Sequence, residues 1–403
     1  MIPEIKVSDF DYELPDERIA KYPVEPRDAS QLLVVSENGA ISGKHFHQLA
    51  EELSGNVLMI TNNTKVIPAR LFGTVESESS ARVEVFLLEP VTADWKQWQV
   101  MVGGRKKFKE QGSVLFASGD CLMRAKWVNR EENIIELEVL EQEGKRRSVA
   151  EAIEILGNIP LPPYIDRDLE ETDKERYQPV FAKHAGAVAA PTASLHFTDA
   201  LLERLKDQGV KFAELTLHVG AGTFKPMTGE TAAEHEMHSE RFEIGIDTLK
   251  QICAHEGKIV AVGTTVMRVL ESLYYIYRYK KPLSGSRDRY FVVETGMAYE
   301  ADNGVGEKGF LGDKRWLEEL IAWMEGENRE ILQGKTAIFI VPGFNFRVCD
   351  GIITNFHQPK STLLMLVGAF LGGDWKKVYA FAMENGYRFL SYGDGSLLWK
   401  RGK

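Results

Sequence analysis

The feature that most constrains this fold is a change of pattern inside the chain. Before Arg70 and after about Asn158, apolar strand-like runs alternate with helical segments. QLLVVS (from Gln31) and NVLMI (from Asn56) read as buried strands, with a short helix, HFHQLAEEL, between them. Near-continuous apolar strands separated by helices call for a mixed or parallel sheet covered on both faces. From Leu71 to about Leu140 there is no convincing helix. RVEVFLLEP, KQWQVMV, SVLFA, CLMRAKWV and NIIELEVLE alternate or run apolar, punctuated by glycines at 103, 104, 112 and 119. Short strands at this spacing predict a small antiparallel barrel or sandwich. VAEAIEILG (from Val149) reads as the helix that returns the chain. The expectation is an α/β fold. A mixed-sheet α/β domain (1–70 and 150–403) carries an inserted antiparallel β-barrel domain (71–149).

At 403 residues the chain is long enough for two cores. No apolar run reaches the roughly 18 residues that a membrane span needs. The acidic start MIPEIKVSDFDYELPDER lacks the apolar stretch of a secretory signal. Cys121, Cys253 and Cys349 have no CxxC spacing, which argues against a zinc knuckle or disulfide framework and fits a reducing cytoplasm. The net charge of −10 argues mildly against a nucleic-acid partner, although a local basic patch still serves.

After Asn158 the reading continues with helices at TDALLERLKDQG (Thr198 as N-cap), IDTLKQICAHEG, TTVMRVLESLYYIY, STLLMLVGAFLG and WKKVYAFAMENG. KFAELTLHV, KIVAVG and TAIFIV read as strands. A distinct stretch at about 274–334 holds a strand-like FVVET, a Gly-rich NGVGEKGFLG and a helix, DKRWLEELIAWM.

Four segments set polar and titratable residues beside buried strands. GAVAAPTASLHFT brings Thr192, Ser194 and His196 to a helix N-terminus, whose free N–H groups favour anions. LTLHVGAGTFKPM carries His218 and then Gly220 and Gly222, with Thr223 following. Glycine permits close backbone approach to a ligand, and ligands of α/β sheets sit at strand C-termini. EHEMHSERFEI offers His235, His238 and Glu240. His-x-x-His on a helical face is a possible metal site, but the spacing is not that of His-Glu-x-x-His. DGIITNFHQPKSTLLMLVGAF runs a buried strand into Asn355, His357, Lys360 and Ser361. The closing YRFLSYGDGSLL adds Tyr392 and Asp394. Histidines exchange protons near neutral pH, so the residues alone give an enzyme with a polar site at strand ends. Each segment also has a bland reading as a turn, a satisfied core histidine or a structural ion pair.

The resemblance is more specific. DFDYELPDERIAKYPVEPRDASQLLVV, TNNTKVIPARLFG, GNIPLPPYIDR, ERYQPVFAKHAGAVAAPTASLHFT, LTLHVGAGTFKPM, EMHSERFEI, VAVGTTVMRVLES, ITNFHQPKSTLLMLVGAF and GYRFLSYGDGSLL occur in this order from near Asp9 to near Leu398. Together they resemble the S-adenosylmethionine:tRNA ribosyltransferase-isomerases of queuosine biosynthesis. The resemblance implies an α/β domain with an inserted β-barrel. It also implies that the ribosyl part of S-adenosylmethionine moves to 7-aminomethyl-7-deazaguanine at the tRNA wobble position. Adenine and methionine leave and epoxyqueuosine forms. S-adenosylmethionine is a co-substrate; no metal and no other cofactor is expected, and the chain is expected to act as a monomer. Two departures stand out. Ser194 replaces the glycine usual in that string, and the 274–334 stretch exceeds the usual connection and is expected to add an extra surface segment.

That chemistry needs a base near C5′, donors for departing adenine, a neutral amine and cations for tRNA. The expected acid/base residues are His196, His218 and His357, then Glu240 and Asp394. Thr192, Ser194, Gly220, Gly222 and Thr223 are expected to bind S-adenosylmethionine, with Arg268, Asn355 and Lys360 as further substrate contacts. Arg268 and Glu271 share a helix face at i,i+3 and read equally as an ion pair. Arg105, Lys106, Lys107 and Lys109, then Lys145, Arg146 and Arg147, are the candidate tRNA contacts, a solvated charge run being the alternative. Rival classes are a metal-dependent hydrolase built on His235, His238 and Glu240, and a non-catalytic RNA-binding protein.

Overall fold

The computed structural model describes residues 2–401, apart from residues 54, 77–79, 142, 143, 145, 221, 223–226, 228, 280–289 and 305–313. In chain order the strands are β1 (Gln31–Val35), β2 (Ile41–His45), β3 (Val57–Asn62), β4 (Thr64–Val66), β5 (Arg70–Val75), β6 (Arg82–Pro90) and β7 (Gln97–Gly103). Next come β8 (Ser113–Ser118), β9 (Cys121–Asn129), β10 (Ile134–Leu140), β11 (Gly157–Asn158), β12 (His184–Ala187) and β13 (Lys211–Leu217). The last are β14 (Glu240–Gly245), β15 (Lys258–Val262), β16 (Phe291–Val293), β17 (Ile331–Thr336), β18 (Gly351–Asn355) and β19 (Gly395–Trp399).

Ten strands form one mixed sheet, in the order β16-β17-β14-β13-β3-β15-β18-β19-β1-β2. Its centre is parallel: β13 with β3, β3 with β15, and β15 with β18. The C-terminal ends of these four strands therefore share one edge. Every residue of β3 is buried, as its unbroken apolar run requires. Helix Thr264–Tyr279 packs against β15 and β16, with Thr264 to Ile276 buried. Thr198 and Ser361 cap their helices by accepting the backbone N–H of Leu201 and Leu364, each at 3.2 Å.

The second sheet is antiparallel, in the order β11-β5-β6-β7-β10-β9-β8, and β8 also pairs with β5 through Thr74–Leu115 and Val75–Val114. Its interior is a separate apolar cluster around Trp98, Phe108 and Phe116. Helix Val149–Leu156 closes this cluster with Ala152 and Ile153, and Ser148 and Glu151 form its capping box. The fold is thus a large mixed α/β sheet joined to an antiparallel sheet.

Three expectations change. TAIFIV is not a strand. The strand is the preceding ILQGKT, and the buried run from Ala337 is held by individual bonds, such as Ala337 N–H to Val293 O at 2.8 Å. HFHQLAEEL splits into a 3-10 turn (Phe46–Gln48) and a single α-turn (Leu49–Glu52). His235 and His238 share no helix face, because the 3-10 turn Ala232–Glu234 ends before His235 and β14 begins at Glu240. Most of the Gly-rich NGVGEKGFLG lies outside the described residues. All three cysteines are free, with Cys121 and Cys349 buried.

Candidate functional site at the strand ends

Where β15 and β18 end lies a partly open cavity of about 90 Å³. Gly263, Thr264 and Thr265 follow β15 and open the long helix. Asn355 and His357 end β18. Thr192 comes from the 3-10 turn Thr192–His196, and Tyr164 and Ser391 close the far side. Tyr164 Oη and Ser391 Oγ share a hydrogen bond of 2.6 Å, and burial pushes the Tyr164 phenol up to about 12. The cavity therefore offers hydroxyls, an amide and the first-turn N–H groups of a 16-residue helix, a set that suits a polar or anionic ligand.

His357 lines this cavity. Its Nε2 lies 2.9 Å from Thr354 Oγ1, and its backbone N–H donates to Tyr379 Oη at 3.0 Å. Burial holds the ring near a pKa of about 3. His196 sits behind the cavity, stacked on Phe46. Asn355 Nδ2 donates to its Nε2 at 3.1 Å, so Nδ1 carries the proton and donates to Ser30 Oγ at 2.9 Å. Burial, then the charge of Arg388, lowers its pKa to about 3. Both nitrogens of His196 are committed to protein partners, which makes this ring a brace for Asn355 in the structure as it stands.

A second cavity, of about 310 Å³, lies between the two sheets and shares the wall residue Val219 with the first. It collects His218, Gly220, Gly222, His238 and Glu240. His218 Nδ1 is 2.8 Å from Thr64 Oγ1. Burial depresses its pKa, against an opposing pull from Glu243. Glu240 is buried and paired with Arg268 at 2.5 Å. Burial pushes its carboxyl up, but Arg268 and His238 outweigh that and hold it below the usual range.

The other expected residues take different places. Arg268 is 2% exposed and reaches neither cavity lining. It pairs with Glu240 rather than with Glu271, and also donates to Ile338 O and Thr336 O, both at 3.3 Å. Glu271 instead accepts the backbone N–H groups of Arg347, Val348 and Cys349. Asp394 fixes the last turn, accepting from Arg388 N at 2.7 Å and Gln31 N at 3.0 Å. Ser194 is fully buried and its Oγ has no hydrogen-bond partner among the described residues. Lys360 pairs with Asp11 at 2.7 Å on the surface. Thr223 and Lys145 lie outside the described residues. Arg105, Lys106, Lys107 and Lys109 are exposed or edge-lying on the loop between β7 and β8, apart from the cavity linings. Arg147 is tied to Asp120 at 2.8 Å, and Arg146 is 88% exposed. Among the described residues, no three His, Cys, Asp or Glu groups are placed to hold a metal ion, and no helix is long and apolar enough to cross a membrane. Sequence reading assigned no role to Tyr164, Thr264 or Thr265, although each stands inside a motif string.

The chain matches the family described as "Queuosine biosynthesis protein" over residues 7–302 and 313–398. The chain belongs to that family. Relatives named S-adenosylmethionine:tRNA ribosyltransferase-isomerase include one from Halothermothrix orenii, 41% identical over 98% of this chain and 100% of its own. Another, from Desulfitobacterium hafniense, is 39% identical with the same coverage. A crystal structure of S-adenosylmethionine tRNA ribosyltransferase from Thermotoga maritima is 29% identical, covers 97% of this chain and 99% of its own, and has a TM-score of 0.47. The family's match takes in every segment that lines the two cavities.

Proposed function

We propose that this chain transfers the ribosyl moiety of S-adenosylmethionine to 7-aminomethyl-7-deazaguanine at the tRNA wobble position and isomerises it, giving epoxyqueuosine with release of adenine and methionine. The observation that carries the reading is the coincidence of two things. Full-length relatives bear the ribosyltransferase-isomerase name, and the motif segments of this chain converge on two cavities that share a wall. A transfer between two substrates needs adjoining sites, because holding both reactants in place removes much of the barrier.

In this reading S-adenosylmethionine enters the strand-end cavity. The N-terminus of helix Thr264–Tyr279 meets its carboxylate, and Thr192 and Asn355 meet its polar groups. At about 90 Å³ the cavity takes only part of the ligand. His357 and His218 act on protons, with His196 bracing Asn355. The ring of pairings from β5 to β8 is the inserted barrel, and residues 71–149 form a domain within the chain. Its basic loop at Arg105 to Lys109 meets the tRNA backbone. The reaction calls for no metal or redox cofactor, and the chain works as a cytoplasmic monomer.

The test is incubation with S-adenosylmethionine and tRNA carrying 7-aminomethyl-7-deazaguanine, with adenine and methionine measured. Stoichiometric release of both supports the reading. Tight tRNA binding with no consumption of S-adenosylmethionine would leave a binding protein instead.

A further inference from the structure

The inter-sheet cavity gathers three titratable groups, His218, His238 and Glu240. Its volume of about 310 Å³ is within the range of small-ligand sites. The β6–β7 hairpin contributes Leu88, Pro90, Trp95 and Met101, with Glu89 and Gln99 beside them, and Met101 is 49% exposed. The mixed sheet contributes His218, His238 and Glu240. His238 Nε2 is buried without a hydrogen-bond partner among the described residues, 3.7 Å from Glu240 Oε1. Arg268 pins the same carboxylate from behind at 2.5 Å. Glycines make room for both rings. A Cβ at Gly222 would lie 2.8 Å from His238 Cγ, and one at Gly186 would lie 2.7 Å from His218 Cε1.

A histidine beside a buried, fixed carboxylate is the arrangement of a general base. Once Nε2–H faces the carboxylate, Nδ1 is the acceptor, and the carboxylate stabilises the imidazolium that forms. A cavity that sets Trp95 and Met101 among polar groups fits an unstacked nucleobase, which RNA-binding sites stack on aromatic side chains while reading its polar edge. The first cavity is one residue away, across Val219.

We propose that the inter-sheet cavity receives the wobble base of the tRNA, with Trp95 against it, and that His238 is the catalytic base for the aminomethyl group, with Glu240 as its positioning residue. The inference rests on the ribosyl-transfer reading above. An alkylammonium has no lone pair to attack with. Nδ1 of neutral His238 takes one proton from it. The electrons of that N–H bond stay on the amine nitrogen, and the imidazolium charge is balanced by Glu240. That proton transfer is the whole of the step assigned to His238. Its pH dependence is set by the groups facing the ring: Glu240 and Arg241 on β14, His235 before it, Arg268 on the helix behind, and His218 and Glu89 across the cavity.

The experiment measures adenine release from pH 6 to 10 with saturating S-adenosylmethionine and varied tRNA carrying 7-aminomethyl-7-deazaguanine. It uses the wild type, His238→Ala, Glu240→Gln and Trp95→Ala, and titrates each protein with S-adenosylmethionine alone as the control for folding. His238→Ala is expected to lower kcat about a hundredfold or more at pH 7 and to recover toward wild type at pH 10, where the amine is already free. Glu240→Gln moves the acidic limb of the profile. Trp95→Ala raises KM for tRNA more than it lowers kcat. S-adenosylmethionine affinity stays within about twofold throughout. Retention of kcat by His238→Ala, or an equal loss at every pH, overturns the proposal while leaving the transfer reading intact. A wild type that releases no adenine overturns both.

Discussion

Arg268→Met provides the sharpest test of how the second cavity is supported. The substitution removes a guanidinium that is 3% exposed and leaves the Glu240 carboxylate, 1% exposed, without its partner at 2.5 Å. Breaking a buried pair from one side costs about 3–5 kcal/mol, because the remaining charge stays desolvated. The double variant Arg268→Met/Glu240→Gln removes both charges and is expected to lose less than about 2 kcal/mol. The assay is urea unfolding followed by tryptophan fluorescence at pH 8 and pH 5. In the wild type the folded-state pKa of Glu240 lies below the usual carboxylate value. Its contribution to stability is present above the unfolded value and is lost as pH falls through the folded one. Without Arg268 the burial effect is opposed only by His238 and the Gly220 N–H, so the single variant is expected to regain stability as the pH falls. The gap to wild type therefore narrows between pH 8 and pH 5. A single variant within about 1 kcal/mol of wild type, or a double variant no better than the single, would refute this account. It would also reopen Arg268 as a substrate contact.

Gly222→Ala places a Cβ 2.8 Å from the His238 ring. It should cut turnover at least tenfold while the near-UV circular dichroism stays unchanged, since small displacements of a reacting group are costly. Ser194→Ala keeps the Cβ and removes a buried hydroxyl without a partner, so the urea midpoint should rise by the equivalent of about 1 kcal/mol. His196 and His357 are held near pKa 3 by burial against about 6.5 when unfolded. The unfolded chain therefore binds more protons between those values, and stability falls by about 1.6 kcal/mol per ring from pH 6.5 to 5. His357→Gln should flatten that slope. Replacing Arg105, Lys107 and Lys109 by Glu should weaken tRNA binding and reduce its salt slope by at least about 0.7 per lost contact, leaving S-adenosylmethionine affinity intact.

Much of the fold was legible because strong local rules agreed. The Thr198 cap, the buried β3 and the alternation through residues 82–140 each point one way. TAIFIV misled because an apolar run signals burial and not pairing. The true strand, Ile331–Thr336, turns Leu332, Gly334 and Thr336 inward, and two of these three carry little hydrophobic signal. The four polar segments that reach the cavities were also legible, but the β6–β7 residues that line the second cavity and the partner of each residue were not. Ser30, His196 and Asn355 meet across 166 and 159 positions of sequence, and Glu240 meets Arg268 across a sheet-to-helix contact. Local spacing suggested the nearer partner, Glu271, for Arg268. It also placed His235 and His238 on a helix, where a short turn and a strand intervene. The division of the motif residues between two cavities follows from the sheet order, which no spacing within a single segment encodes.

The central claim is that the ribosyl group itself moves, and an isotope experiment tests it most directly. S-adenosylmethionine labelled only in its ribose carbons is incubated with the protein and tRNA carrying 7-aminomethyl-7-deazaguanine. The tRNA is then digested and its nucleosides weighed by mass spectrometry. The account predicts that all five labelled carbons appear in one new wobble nucleoside, with unlabelled adenine and methionine released. Label left in intact S-adenosylmethionine, or recovered in a free ribosyl fragment with the tRNA unchanged, would contradict it.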